Sequence, residues 1–159
     1  MTRLLEQIET TLPIEDAFDF VADFANAERW DPGVARSTRL DGGSVQVGSR
    51  FALDVRMGRR TAPMTYRVAT LERPNRVVLV GEGSGVDAVD EIVFEPAGAG
   101  TRIRYTADIR LRGLLRLAQP FLSGALARIG EDAAGGMRRA LAEIAGSTGA
   151  TASTEVARS

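Results

Sequence analysis

From Val34 to Leu111 apolar and polar residues alternate with period two, in runs broken at short intervals by glycine, proline or asparagine; beyond Gly113 the period lengthens to that of a helix. Val34 to Leu40 stops at Gly42 and Gly43, and Arg50 to Met57 stops at Gly58. Ala62 to Arg73 is followed by Pro74 and Asn75, Val77 to Glu82 by Gly83 and Gly85, and Ala88 to Glu95 by the stretch from Pro96 to Gly100. Thr101 to Leu111 completes the series. With a weakly alternating first strand, Leu4 to Thr11, this predicts seven strands joined by mostly tight turns, and therefore antiparallel neighbours. Between the first two strands Pro13 opens a helix whose first turn carries Glu15 and Asp16, and Ile14, Ala17, Phe18, Val21 and Ala25 form its apolar stripe. Asn26 is placed to cap a second short helix, Ala27 to Trp30, which Asp31, Pro32 and Gly33 terminate.

The last long segment runs from Gly113 to Ala145. Pro120 cannot lie inside an unbroken helix, so a short turn over Leu114 to Leu117 is expected first and the main helix from about Pro120. Phe121, Leu122, Ala125, Ile129, Ala133, Met137, Ala140, Leu141 and Ile144 supply its apolar face. A single helix cannot bury such a stripe alone, so it must lie across the sheet, with a pocket expected beneath it. Residues 1–145 form one domain in this reading, and the small, polar, aperiodic tail 146–159 is expected to be disordered.

Composition removes many chemistries. The chain has no cysteine and no histidine, and every basic residue is arginine, because lysine is absent as well. Thiolate nucleophiles, sulfur-ligated metals, imidazole bases, Schiff bases and lysine-dependent phosphate loops are excluded, leaving Asp, Glu, Tyr, Ser, Thr and Arg. Neither a metal nor a cofactor is expected. The twenty Arg are interspersed with twenty-one Asp and Glu, so no basic stripe marks a nucleic-acid partner. No segment approaches the roughly 20 apolar residues of a membrane span, and Arg3, Glu6 and Glu9 interrupt any apolar signal core, which points to a cytoplasmic protein.

The period-two pattern sorts side chains by face. Phe51, Leu53, Val55 and Met57 point inward together, as do Ile103, Tyr105, Ala107 and Ile109. The same rule places Asp90 among Val86, Ala88, Ile92 and Phe94, Glu6 with Leu4 and Ile8, and Arg36 with Val34 and Leu40. An unpaired buried charge costs several kcal/mol. Asp90 is therefore the leading polar pocket residue, holding a ligand hydroxyl or acting as an acid/base. Against this stand a β-bulge near Val89 to Glu91 that turns it outward, and a structural pair with Arg36. For Glu6, solvent exposure at a strand end is the competing reading. Tyr66 and Tyr105 offer flat apolar bodies with one oriented hydroxyl each, or simply pack in the core. Trp30 either walls the cavity mouth or anchors the two short helices. Gly124, Gly130, Gly135 and Gly136 each cost the main helix roughly 1 kcal/mol relative to alanine, which suggests that they leave room beneath it or reflect a general bias toward glycine and alanine.

Trp30, Asp31, Pro32 and Gly33, the run Gly100, Thr101, Arg102, Ile103, Arg104 and Tyr105, and the run from Leu111 to Leu117 leading into Pro120 resemble the START-like, or SRPBCC, superfamily in its polyketide cyclase/dehydrase-like branch. The resemblance spans about Leu4 to Ile144. It implies an α+β helix-grip fold, a curved seven-stranded antiparallel sheet wrapped around a long C-terminal helix with two short helices between strands 1 and 2, enclosing a cavity for apolar or aromatic small molecules. Members range from cyclases and dehydratases to carriers, so the fold does not choose the activity.

Three functions remain open. The first is binding of a small apolar or aromatic, polyketide- or lipid-like, molecule by Trp30, Arg36, Phe51, Leu53, Val55, Tyr66, Asp90, Ile92, Tyr105, Phe121, Ala125 and Ile129. The second is a cofactor-free cyclase, aromatase or dehydratase in which Asp90 moves protons while Tyr66, Tyr105 or Arg36 orients carbonyl oxygens. The third is an interaction module that uses the exposed helix surface or an edge strand around a filled core.

Overall fold

The computed structural model of the chain describes residues 1–156, with side-chain environments through residue 149. The strands are β1 (Thr2–Thr10), β2 (Val34–Arg39), β3 (Arg50–Met57), β4 (Arg60–Glu72), β5 (Arg76–Gly83), β6 (Val86–Ala97) and β7 (Gly100–Leu111), and the helices are α1 (Ile14–Ala22), α2 (Ala27–Trp30) and α3 (Gln119–Val156). They form one antiparallel, half-barrel sheet in the order β1-β7-β6-β5-β4-β3-β2. All seven strands and both short helices expected from the sequence are present, with ends shifted by a few residues.

Sequence neighbours pair all along the meander, and only β1 crosses over, to pair with β7. The first two strands in the chain, β1 and β2, are thereby the two edges of the sheet. The short helices bridge the concave side, with α1 against β6 and β7 and α2 against β2. Phe18 of α1 meets Phe94 of β6 edge-on at 5.1 Å. Asn26 stands at the N-cap position of α2 but makes no side-chain cap bond, whereas Asp23 accepts from the Ala25 amide at 3.1 Å and starts a 3-10 turn, Phe24–Asn26, that drops Phe24 into the core. Asn26 instead donates to the Phe20 carbonyl at 3.0 Å. Buried Ser37 fastens β2 to this segment, donating to the Ala25 carbonyl at 2.7 Å.

The chain enters α3 through a 3-10 turn, Gly113–Ala118, and Pro120 stands in the first helical turn, where its missing N–H breaks no hydrogen bond. Gln119 ties this start to the sheet, its Nε2 donating to the Ile109 carbonyl at 3.0 Å and to Thr2 Oγ1 at 3.2 Å. From Gly130 onward α3 packs along β1 and against α2, burying Ala134, Met137, Ala140 and Leu141. At Gly136 the backbone of α2 comes so close that a Cβ would run into the Trp30 carbonyl. Gly130 lies over Leu4 and Glu6, while Gly124 faces open space. Gly136 therefore serves close approach, while a Cβ at Gly130 would make ordinary contact with Leu4 and Glu6, and the expectation that these two leave room under the helix is not met there.

Two further expectations change. α3 does not stop at Ala145: it continues through the small-residue segment to Val156, and residues 157–159 of the tail expected to be disordered lie outside the described residues. Its first half is not buried either. Phe121, Ala125 and Ile129 are exposed, since between buried Gln119 and buried Gly130 these positions face away from the sheet.

Candidate functional site

Asp90 is 3% exposed and points to the concave side. No bulge interrupts β6, whose register is continuous against both β5 and β7, so simple alternation carries Asp90 inward between Ala88 and Ile92. Its partner is not Arg36. The β2–β3 register slips between Val34 and Arg36, and that slip turns Arg36 out to solvent and Ser37 in. Instead the Asp90 carboxyl accepts hydrogen bonds from the hydroxyls of Tyr105 and Tyr66, and no arginine pairs with it among the described residues.

The three side chains come from three strands. Tyr105 is on β7, directly beside β6, and pairs with Ile92, two positions from Asp90. Tyr66 is on β4, which β5 separates from β6. Gly81 of β5 is the residue opposite Tyr66, and a Cβ there would stand 2.6 Å from the tyrosine ring. The bare backbone at 81 lets the Tyr66 ring lie across β5 and reach Asp90. A glycine inside a strand marks such a close approach, although in the sequence Gly81 is hard to tell from the neighbouring turn glycines Gly83 and Gly85.

Around the trio the interior is aromatic. Phe24 lies 5.3 Å from Tyr66, 6.2 Å from Phe51 and 5.9 Å from Trp30, between ring centroids. Trp30 in turn meets Tyr105 edge-on at 6.1 Å. Leu53 and Ile92 are buried in the same cluster, with Val55 partly buried against it, whereas Met57 is exposed where β3 leaves the core. Trp30 is thus both an anchor of the short helices and a neighbour of the polar trio, and its Nε1–H is buried without an acceptor. Glu6 is half-buried, stands opposite Tyr105 in the β1–β7 register and approaches α3 at Gly130.

Burial sets the electrostatics. It pushes the Asp90 carboxyl up to about 7, against the lowering effect of the two tyrosine hydrogen bonds. Both phenols are held well above the ordinary tyrosine range, first by burial and then by the Asp90 charge. Asp31, at the end of α2, is pushed up to about 6 by burial, although it accepts the Gly33 amide at 2.7 Å, and Asp132 of α3 adds to the rise. Near neutral pH both phenols therefore keep their protons while the Asp90 carboxyl is poised between its neutral and charged forms, a setting that donates or accepts a hydrogen bond according to what faces it. Among the described residues no three carboxylates gather to hold a metal ion.

Two clefts open outside this interior. One, of about 170 Å3, lies at the α2–α3 junction and is lined by Trp30, Asp31, Gly136 and Arg139 among others. The other, of about 420 Å3, lies beside the 3-10 turn and is lined by Arg110, Arg112, Arg116 and Gln119 among others. Of the residues expected at the pocket, the structure gathers Trp30, Phe51, Leu53, Val55, Tyr66, Asp90, Ile92 and Tyr105 on the concave side. It leaves Arg36, Phe121, Ala125 and Ile129 outside.

The same architecture occurs in proteins of little sequence similarity. A START superfamily protein from Mycobacterium smegmatis superposes with a TM-score of 0.76 at 13% identity, covering 91% of this chain and 99% of that one. A protein from Thermus thermophilus gives 0.75 at 14% identity, with 89% and 98% covered. The Zhui aromatase/cyclase from Streptomyces sp. R1128 gives 0.69 at 15% identity, with 87% and 90% covered. No curated protein is similar enough in sequence to match. The family described as polyketide cyclase/dehydrase and lipid transport matches residues 1–142, nearly all of the sheet and the packed part of α3, and the chain belongs to that family.

Proposed function

We propose that this protein binds a small apolar or aromatic molecule on the concave side of the sheet, with Asp90, Tyr66 and Tyr105 as its polar anchor. The observation that carries the reading is a carboxyl at the centre of an aromatic interior, hydrogen-bonded only to phenols and facing no cation among the described residues. Folding stability does not call for such a group, since an apolar residue there would avoid its desolvation cost. Ligand recognition does. The unsatisfied Trp30 Nε1–H supplies a donor for a carbonyl or ether oxygen beside the same cluster. The cleft at the α2–α3 junction is the entry in this reading, because Trp30 lines it and also touches Tyr105. The cytoplasmic placement inferred from the sequence belongs to the same proposal.

Trp30 is the chain's one tryptophan, so its fluorescence reports on the site directly. Native mass spectrometry of the freshly purified protein tests for a retained small molecule. Titration with fused-ring phenols and long-chain fatty acids, followed by Trp30 emission and by thermal midpoint, tests the anchor. At pH 4.5, where the folded protein keeps Asp90 protonated, Asp90→Asn is expected to keep the midpoint of the free protein close to that of the parent and to abolish ligand-induced stabilisation. A large loss of stability with ligand response intact assigns Asp90 a purely structural role and removes the reading.

A second reading, acid/base chemistry on a bound polyketide-like chain, is favoured by one observation: burial brings the Asp90 carboxyl to about 7, where it exchanges a proton near neutral pH. Product formation that follows one titration near neutrality and vanishes in Asp90→Asn would establish it.

A further inference from the structure

The 3-10 turn and the first half of α3 carry a row of exposed apolar side chains that the fold does not use. Leu114 is 87% exposed, Leu117 74% and Phe121 87%. Residues three apart in a 3-10 turn eclipse, and four apart in an α-helix share a face, so these three form one ridge. The ridge is firmly based. Leu115 packs on Gly85 of the β5–β6 turn, the Arg112 amide donates to the Gly85 carbonyl at 2.8 Å, and Gln119 binds the end of β7.

Charge says what faces the ridge. From residue 109 to residue 130 the sequence holds Arg110, Arg112, Arg116 and Arg128 and no carboxylate, although the chain as a whole is slightly acidic. Arg112 is paired with Asp87 at 3.1 Å, but Arg110, Arg116 and Arg128 have no carboxylate partner among the described residues. Arg110, Arg112 and Arg116 line the cleft of about 420 Å3 beside the ridge. Arg128 lies two helical turns after Phe121 on the same face of α3. Protruding leucine and phenylalanine flanked by unpaired guanidinium groups fit a surface that is apolar beneath and negatively charged above. A protein partner with an apolar groove would need no such excess of arginine.

We propose that this ridge docks the protein on an anionic lipid bilayer, with Leu114, Leu117 and Phe121 entering the acyl boundary and Arg110, Arg116 and Arg128 meeting lipid phosphates. The inference rests on residues remote from Asp90 and stands whether or not the interior binds a ligand.

Co-sedimentation of the full chain with vesicles tests it. Strong binding is expected to vesicles of phosphatidylcholine and phosphatidylglycerol in equal parts, weak binding to phosphatidylcholine alone, and release at high salt. The double variants Leu117→Ser/Phe121→Ser and Arg110→Gln/Arg116→Gln are each expected to lose at least about tenfold in vesicle affinity. Their thermal midpoints are expected to stay at the parent value, because the substituted side chains are exposed. Absence of binding to the mixed vesicles, or binding that both variants retain, overturns the proposal. Displacement from vesicles by millimolar inorganic phosphate also overturns it, since the cleft is then a free-anion site. So does light scattering that shows a dimer of the parent chain dissociated by Leu117→Ser/Phe121→Ser, which assigns the ridge to a second copy.

Discussion

The two halves of α3 have similar apolar periodicity and opposite fates. From Gly130 to Ala145 the stripe is buried against β1 and α2, with Met137 and Leu141 at 1% and 0% exposure. From Gln119 to Ile129 the same kind of stripe, with Phe121 at its head, faces outward. The difference lies in what stands opposite. Gly130 lies over Leu4 and Glu6 of β1 and Gly136 against Trp30 of α2, whereas Phe121, Leu122, Ala125 and Ile129, between Gln119 and Gly130, are exposed. An apolar helix face therefore shows that something covers it, while the rest of the fold decides whether that something belongs to the same chain.

The largest effect expected from this contrast is on pH dependence, which the packed half carries. Asp31 sits at the α2–α3 junction and Asp90 in the interior behind Trp30, and burial raises them to about 6 and about 7 from an ordinary 3.8. A raised carboxyl holds its proton in the folded state after the unfolded chain has released it, so stability falls as pH rises from about 4 through these values. Urea unfolding at pH 4.5 and at pH 7.5 is expected to show a loss of a few kcal/mol at the higher pH. Asp31→Asn/Asp90→Asn is expected to flatten the slope, and a slope that survives in this variant separates it from the two groups. The exposed pairs Arg3–Asp108 and Arg50–Asp41 act the other way, since their carboxyls are held low, but only below about pH 4.

Smaller effects come from placing one methyl group in each half. Gly136→Ala is expected to destabilise by about 1–3 kcal/mol, because the new Cβ must push α3 off the Trp30 carbonyl. Gly124→Ala, which meets open space, is expected to stabilise by about 0.5–1 kcal/mol through helix propensity alone. The same substitution twice in one helix with opposite signs, read from urea midpoints, would establish where packing begins. Equal signs would place both halves in one environment.

Much of this arrangement was legible in the residues. The inward position of Asp90 followed from alternation because β6 has no bulge, and Tyr105 followed for the same reason on β7. Arg36 failed because one slipped residue in β2 inverts every face after it, and nothing in Val34 to Leu40 announces the slip. Tyr66 was named, but not its contact with Asp90, since that contact crosses an intervening strand and depends on Gly81. The spacing of Phe121, Ala125 and Ile129 predicts a helix face turned to the sheet, but spacing records a face and carries no information about a neighbour.

The amino-acid sequence by itself determined the seven strands, the two short helices, the restricted set of available chemistries and the face on which Asp90 lies. These depend on local periodicity and composition, which a linear chain displays. The tertiary structure alone decided that Asp90 meets two phenols instead of an arginine, that Gly136 serves contact instead of space, and that the apolar side chains of the first turns of α3 remain bare. Each of those outcomes depends on which distant backbone arrives within a few ångströms, and that is set by strand register and helix placement taken together.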